Sequence, residues 1–321
     1  MGRMSIFRSE RMGNDIFPSE PAYGSKRWRR SQRGHWRKRI PRLMTLPTVF
    51  ILLAIGIMPL IYSLALTFHD WTLGRPEGAV FIWFKNYARV VGDERFWGSL
   101  KSSFIFTGMA VSAEFAFGMG LALIFTRGFR GNSVFRTLLL IPMMLPPIVA
   151  GLIWRFMYNP QVGIINYLMR LVGLQGPIWL GDPKIAMPAV VIVDLWQWGP
   201  FMFLLLFTGM ASLPNDVYEA ARVDGASGIQ RFIYITLPLL RPIILVAVVI
   251  RVIDTLRIFD TIFVLTRGGP ANVTEVLSIY TYKVGMNFFH MGYATTMSYF
   301  LLFIIMIVAM IFVNRLETQE A

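Results

Sequence analysis

No cysteine occurs among the 321 residues, which removes disulfides, thiol nucleophiles and Cys-based metal sites together. Histidine is almost as scarce: His35, His69 and His290 lie far apart and offer no ligand pair. No Gly-Lys dipeptide is found, so there is no Walker A loop and this chain cannot hydrolyse ATP by that route. HExxH and GxSxG are missing as well, which leaves an embedded hydrolase without a motif. Charged residues make up only 15% of the chain against 55% hydrophobic, and the mean hydropathy is +0.55. That balance excludes an ordinary soluble protein and implies an all-α, polytopic membrane protein.

The charge that is present is unevenly placed. The formal net charge is +13, and nine Lys/Arg crowd between Lys26 and Arg42, directly before the first apolar run. They fit a cytoplasmic anchor beside anionic lipid better than a nucleic-acid surface. Residues 1–42 read as a basic cytoplasmic tail, residues 43–316 as a six-helix transmembrane domain and residues 317–321 as a C-terminal tail. Spans are expected over 43–67, 100–126, 134–157, 185–212, 243–266 and 293–313, since roughly 20 apolar residues cross a hydrocarbon core about 30 Å thick. Pro142, Pro146 and Pro147 predict a bend in the third span. A short helix is expected near 164–171. An even number of spans puts both termini on one side, and the Lys/Arg excess of the inner segments, mostly from the tail, selects N-in, C-in.

Between the fourth and fifth apolar runs lies a mostly polar island, residues 213–242. Val217 to Val223 favours a short helix, Gly225 permits a sharp turn, and Ile229 to Leu237 favours a second helix. Small Ala220 and Ala221 admit close approach of a partner backbone, while Glu219 and Asp224 offer charged acceptors. Pro238 and Pro242 are expected to interrupt the chain where it re-enters the bilayer. An amphipathic hairpin lying on the membrane surface is the plainer alternative.

Polar residues also sit inside the spans. Asp194, Gln197, Trp198 and Phe201 fall at i, i+3, i+4 and i+7 of the fourth, one helix face. On the fifth, Arg251, Thr255 and Ile258 repeat that spacing with Asp254 beside them. An unpaired charge there costs at least ~2.5 to 3.5 kcal/mol, so each must face a partner or water. Either these charges neutralise one another and lock packing, or the two faces line a watery solute path. In the second case Trp198 and Phe201 stack on a sugar ring while Asp194, Gln197, Arg251 and Thr255 bond its hydroxyls.

The spacing of Pro214, Glu219-Ala220-Ala221, Asp224-Gly225-Ala226, Ile235 and Leu237-Pro238 resembles the cytoplasmic loop of ABC-importer permeases. Further similar residues are Pro142, Trp154, Gly163 with Asn166, Trp179-Leu180, Trp196 with Pro200, Phe259-Asp260 and the run Leu265-Thr266-Arg267-Gly268-Gly269-Pro270. Over roughly residues 45–315 the chain is similar to maltose-type sugar permeases of the binding-protein-dependent ABC importers. The resemblance implies a type I importer permease fold in a bacterial inner membrane. It implies partnership with a second permease, two copies of an ABC ATPase that bind ATP and magnesium, and an extracytoplasmic solute-binding protein; the chain itself would hold no cofactor or metal. Glu219, Ala220, Ala221, Asp224 and Gly225 would form a coupling helix docked on the ATPase. Asp194, Gln197, Trp198, Phe201, Arg251, Asp254, Thr255 and Ile258 would line the sugar path. The rival class is an ion-coupled secondary carrier using the Asp/Arg cluster as a relay; a membrane scaffold without transport is the third.

Overall fold

The computed structural model describes residues 45, 47–74 and 78–320; the basic tail of residues 1–42 lies outside them. The first long helix, α1 (Pro47–Leu66), contains a wide π-type turn at Leu53–Ile57. A small antiparallel pair follows, β1 (His69–Asp70) and β2 (Val80–Phe81), with His69 opposite Phe81. This is a minor departure from the all-α expectation. Helix α2 (Lys85–Val91) leads to α3 (Glu94–Thr126), which begins six residues before its expected start at Leu100. The physical reason is a cap: Asp93 Oδ1 accepts from the backbone N–H of Arg95 at 2.9 Å and of Phe96 at 3.3 Å, satisfying two of the first orphan donors.

The third apolar run is two helices, α4 (Asn132–Leu140) and α5 (Pro147–Met157), with a 3-10 turn at Pro142–Met144 between them. The chain bends by 98° at that break, far more than a proline kink in a continuous helix. The described residues thus contain five helices long and apolar enough to cross a membrane, or six if this bent pair is one span. Next come α6 (Ile164–Leu171), on the predicted residues, and α7 (Ala186–Ala211).

Helix α8 (Asn215–Val223) is followed by a turn in which Gly225 adopts φ +77, a left-handed conformation that costs glycine little. The next helix, α9 (Gly228–Leu256), corrects the expected span of 243–266. It starts at a capping box made by Ser227 and Gln230 and runs through both Pro238 and Pro242 without a break. A π-type turn at Phe232–Thr236 precedes Pro238, which falls in the first turn of the α-helical stretch Leu237–Leu256, where a missing N–H is tolerated. The predicted loop of 213–242 therefore ends near Ser227, and its second half is the base of a span. Beyond Leu256 the chain forms α10 (Asp260–Leu265), α11 (Leu277–Tyr282) and α12 (Met291–Glu320).

Helices α3 and α7 form the spine of the packing, joined by Met119, Ala122 and Phe125 of α3 and Met202, Phe203, Leu206 and Met210 of α7, with Leu240 and Ala247 of α9 completing the cluster. Gly118 marks a close approach of the two backbones: a Cβ there would sit 2.8 Å from the Phe203 backbone nitrogen. A second cluster packs Phe106 and Ala110 of α3 and Val190 and Val193 of α7 against Ile262 and Leu265 of α10. Without water in the bilayer, small residues and dispersion contacts of this kind hold helices together. Many apolar side chains remain outward, such as Phe303 at 64% and Leu152 at 53% exposed, as expected of a lipid-facing or subunit-facing wall.

A polar network closes the end of the bundle where α3 begins. Asp93 Oδ2 accepts from the hydroxyls of Tyr280 at 2.7 Å and Tyr293 at 2.5 Å. Buried Glu275 takes a two-point bond from Arg95, at 2.8 and 2.9 Å, and a third from Lys283. Burial pushes the Glu275 carboxyl up, but these cations outweigh it and hold its pKa below the ordinary value.

Candidate functional site

Three helices bring four ionisable side chains together. Arg251 of α9, 2% exposed, donates from Nε to Glu114 Oε2 at 2.7 Å and from Nη2 to Glu114 Oε1 at 2.7 Å. The same Nη2 donates to Asp194 Oδ2 of α7 at 2.9 Å, and Nη1 lies 3.8 Å from Asp254 Oδ2, one turn along its own helix. The guanidinium also lies over Trp198, 5.0 Å from the ring centroid, a cation–π contact. Bidentate geometry is what makes arginine suited to such a position. Breaking a buried pair of this kind by removing one partner typically costs about 3 to 5 kcal/mol.

Glu114 is fully buried, halfway along α3, and composition and periodicity gave it no solute-facing role. Its signal was its position: a lone carboxylate in the middle of a long apolar helix needs a cation across from it. Because α9 ends at Leu256, Arg251 and Asp254 lie in its last two turns, whereas the expected span of 243–266 would put them near its middle.

Six of the eight expected path residues line one cavity. Asp194, Trp198, Arg251, Asp254, Thr255 and Ile258 surround about 460 Å³ together with Pro147, Arg257, Phe259, Asp260 and Thr261. Gln197 and Phe201 lie outside the lining. Gln197 is buried and donates from Nε2 to the Leu145 carbonyl at 2.9 Å, satisfying a backbone group exposed by the break between α4 and α5. Its Oε1 has no hydrogen-bond partner among the described residues. Phe201 is half-buried further along α7. Asp254 is held by Arg257, and the Thr255 hydroxyl returns to the Arg251 carbonyl at 2.8 Å. The cavity wall thus combines carboxylates and aromatic faces, the two surfaces that bond hydroxyls and cover C–H groups of a polar solute.

At the other end of α9 the hairpin stands out from the bundle. Glu219, Ala220, Asp224 and Gly225 are exposed and Ala221 is half-buried. Val223 at 88% and Ile229 at 73% are exposed beside them. The Tyr218 hydroxyl lies 2.9 Å from Thr236 Oγ1, tying α8 to the π-type turn of α9.

This fold has a known counterpart. The chain superposes with TM-score 0.77 on a chain of a bacterial ABC transporter involved in the import of the acidic polysaccharide alginate, at 22% identity and covering 88% of this chain and 96% of that one. The architecture is that of a type I ABC importer permease. Sequence similarity then places the family: the chain belongs to the binding-protein-dependent transport system inner membrane components, whose model matches residues 114–319. It is 39% identical over 250 residues to the trehalose/maltose transport system permease protein MalF of Thermococcus litoralis, covering 78% of this chain and 83% of that protein. It is likewise 39% identical over 256 residues to the probable ABC transporter permease protein y4oQ of Sinorhizobium fredii, covering 79% and 82%. It is a multi-pass membrane protein and a permease subunit of an ABC importer.

Proposed function

We propose that this chain is one half of the translocation path of an ATP-driven carbohydrate importer in a bacterial inner membrane, oriented N-in, C-in. A second homologous permease supplies the other half, an extracytoplasmic solute-binding protein delivers the sugar, and two ATPase subunits bind and hydrolyse the ATP. Helix α8 with the Gly225 turn serves as the coupling helix, offering Glu219, Ala220, Ala221 and Asp224 to an ATPase cleft. Asp194, Trp198, Arg251, Asp254, Thr255 and Ile258 face the solute.

The observation that carries the reading is the cavity of about 460 Å³ against the charge cluster of α3, α7 and α9. Its mixture of carboxylates, a threonine and Trp198 matches what a hydroxyl-rich ring requires. The relatives, named as trehalose/maltose and alginate systems, support carbohydrate as the class. ATPase closure would rock the two permeases between inward-facing and outward-facing states, a two-state element biased by nucleotide.

Reconstituted with its partner subunits in liposomes, the protein should import a labelled sugar only with ATP inside the ATPase compartment and with binding protein on the opposite face. Uptake driven by a proton or sodium gradient without ATP would favour the secondary-carrier reading instead.

A further inference from the structure

Arg251 and Arg257 are the two cations among the described residues lining the cavity. A guanidinium with unused donors there would recognise a carboxylate, sulfonate or phosphate on the solute. Each is already committed in part to carboxyl groups of this chain, Arg251 through Nε and Nη2 and the exposed Arg257 through Nη2. Arg251 commits Nε and Nη2 to Glu114, shares Nη2 with Asp194 and turns Nη1 towards Asp254. Arg257 is paired with Asp254. Asp260, the first residue of α10, lines the same cavity, and its side chain makes no hydrogen bond or ion pair with any described residue. The lining therefore carries the carboxyl groups of Asp194, Asp254 and Asp260 against two guanidinia, and Glu114 holds Arg251 from behind at 2.7 Å.

We infer that this half of the path selects uncharged, hydroxyl-rich solutes and rejects anionic ones, and that Glu114 is a specificity-determining residue because it occupies Nε and Nη2 of Arg251 from outside the cavity. Hydroxyls can donate to the carboxylates of Asp254 and Asp260, and Trp198 offers an aromatic surface to the apolar face of a sugar ring. An anion would instead meet a wall with surplus negative charge, in surroundings where charges are weakly screened. The inference rests on the carbohydrate reading given above and narrows its substrate class.

The test uses the whole transporter, assembled with its partner subunits in nanodiscs, and paired probes of equal size. One set is maltose and trehalose; the other is the same disaccharides with one primary alcohol oxidised to a carboxylate. The wild type should bind a neutral member at least about tenfold tighter than its acid. Asp254→Asn, which releases Arg257, and Glu114→Gln, which replaces one of the two oxygens that hold Arg251 with an amide nitrogen, should each narrow that ratio by about tenfold. Should Glu114→Gln fail to assemble, Asp254→Asn at the partly exposed cavity wall decides. Equal or tighter binding of the acids by the wild type, or a ratio that does not move in an assembled variant, overturns the inference and leaves the permease reading standing. If neither set binds while ATP-driven uptake of a non-carbohydrate solute proceeds, the carbohydrate reading itself fails, and this inference with it.

Discussion

Gly118 offers a sharp test of the packing that positions the charge cluster, four residues beyond Glu114 on the same helix. A Cβ at Gly118 would meet the Phe203 backbone nitrogen at 2.8 Å, Met202 Cγ at 2.9 Å and the Met202 carbonyl carbon at 3.0 Å. Methionine can swing aside, but the Phe203 nitrogen belongs to the rigid backbone of α7, so α3 and α7 must separate by several tenths of an ångström. Overpacking of this type costs about 1 to 3 kcal/mol, and it exceeds the gain of at most ~1 kcal/mol from replacing glycine by alanine inside a helix. Gly108 and Gly120 lie on the same helix with nothing within 4 Å of where an alanine methyl would sit, and they serve as matched controls. We expect Gly118→Ala to lower the thermal midpoint of the solubilised protein, followed by size-exclusion of heated samples, while Gly108→Ala and Gly120→Ala leave it unchanged or slightly raised. Adding Met202→Ala to Gly118→Ala should recover only part of the loss, since the backbone clash remains. A Gly118→Ala protein as stable as the two controls would refute the close approach of α3 and α7.

Three further outcomes are expected. Burial pushes the Asp93 carboxyl up, but the hydroxyls of Tyr293 and Tyr280 and the backbone N–H groups of Phe96 and Arg95 outweigh it and hold its pKa below the ordinary value. A depressed carboxyl contributes stability at pH above its unfolded value and loses it as pH falls through the folded value; the thermal midpoint should therefore drop on acidification below about pH 4, and less steeply in Asp93→Asn. Buried Asn166 accepts from Trp179 Nε1 at 2.7 Å and donates to the Pro177 carbonyl at 3.3 Å, so Asn166→Ala should cost about 1 to 3 kcal/mol, read by the same melting assay, whereas no change would show that water replaces the amide. Glu219→Lys and Gly225→Pro should each leave the protein inserted while abolishing ATP-dependent uptake and co-purification of the ATPase; normal uptake by both would remove α8 from the coupling role.

Periodicity found what lies on one helix and missed what joins two. The i, i+3, i+4 spacing on α7 and the i, i+4 spacing on α9 brought Asp194, Trp198, Arg251 and Thr255 to one cavity. The partner of Arg251 was less legible, because Glu114 is 137 residues away and nothing local marks the pairing. The same holds for the Asp93, Tyr280 and Tyr293 network, whose members are separated by 187 and 200 residues. Gln197 shares the face of Asp194 yet turns to the Leu145 carbonyl, since the break before Pro146 leaves a buried acceptor that outranks a cavity wall. Pro238 and Pro242 have the local signature of stops, but a proline needs only a freed acceptor and a little space, and the wide turn at Phe232–Thr236 immediately precedes the first of them. The bend of the third apolar run was legible from its three prolines, though not its angle of 98°.

The hydroxyl pair between Tyr218 and Thr236 has a mechanical corollary. It fastens the outlying hairpin to the wide π-type turn of α9, about 20 Å along the helix from Arg251 at 1.5 Å per residue. Any push that displaces α8 must either snap this latch or drag the foot of α9 sideways, and the wide turn lets the foot swivel while the guanidinium above stays clamped between two carboxyl groups. If α8 takes the role proposed for it, a tyrosine and a threonine would decide whether force arriving at the hairpin reaches the cavity or dissipates at its hinge.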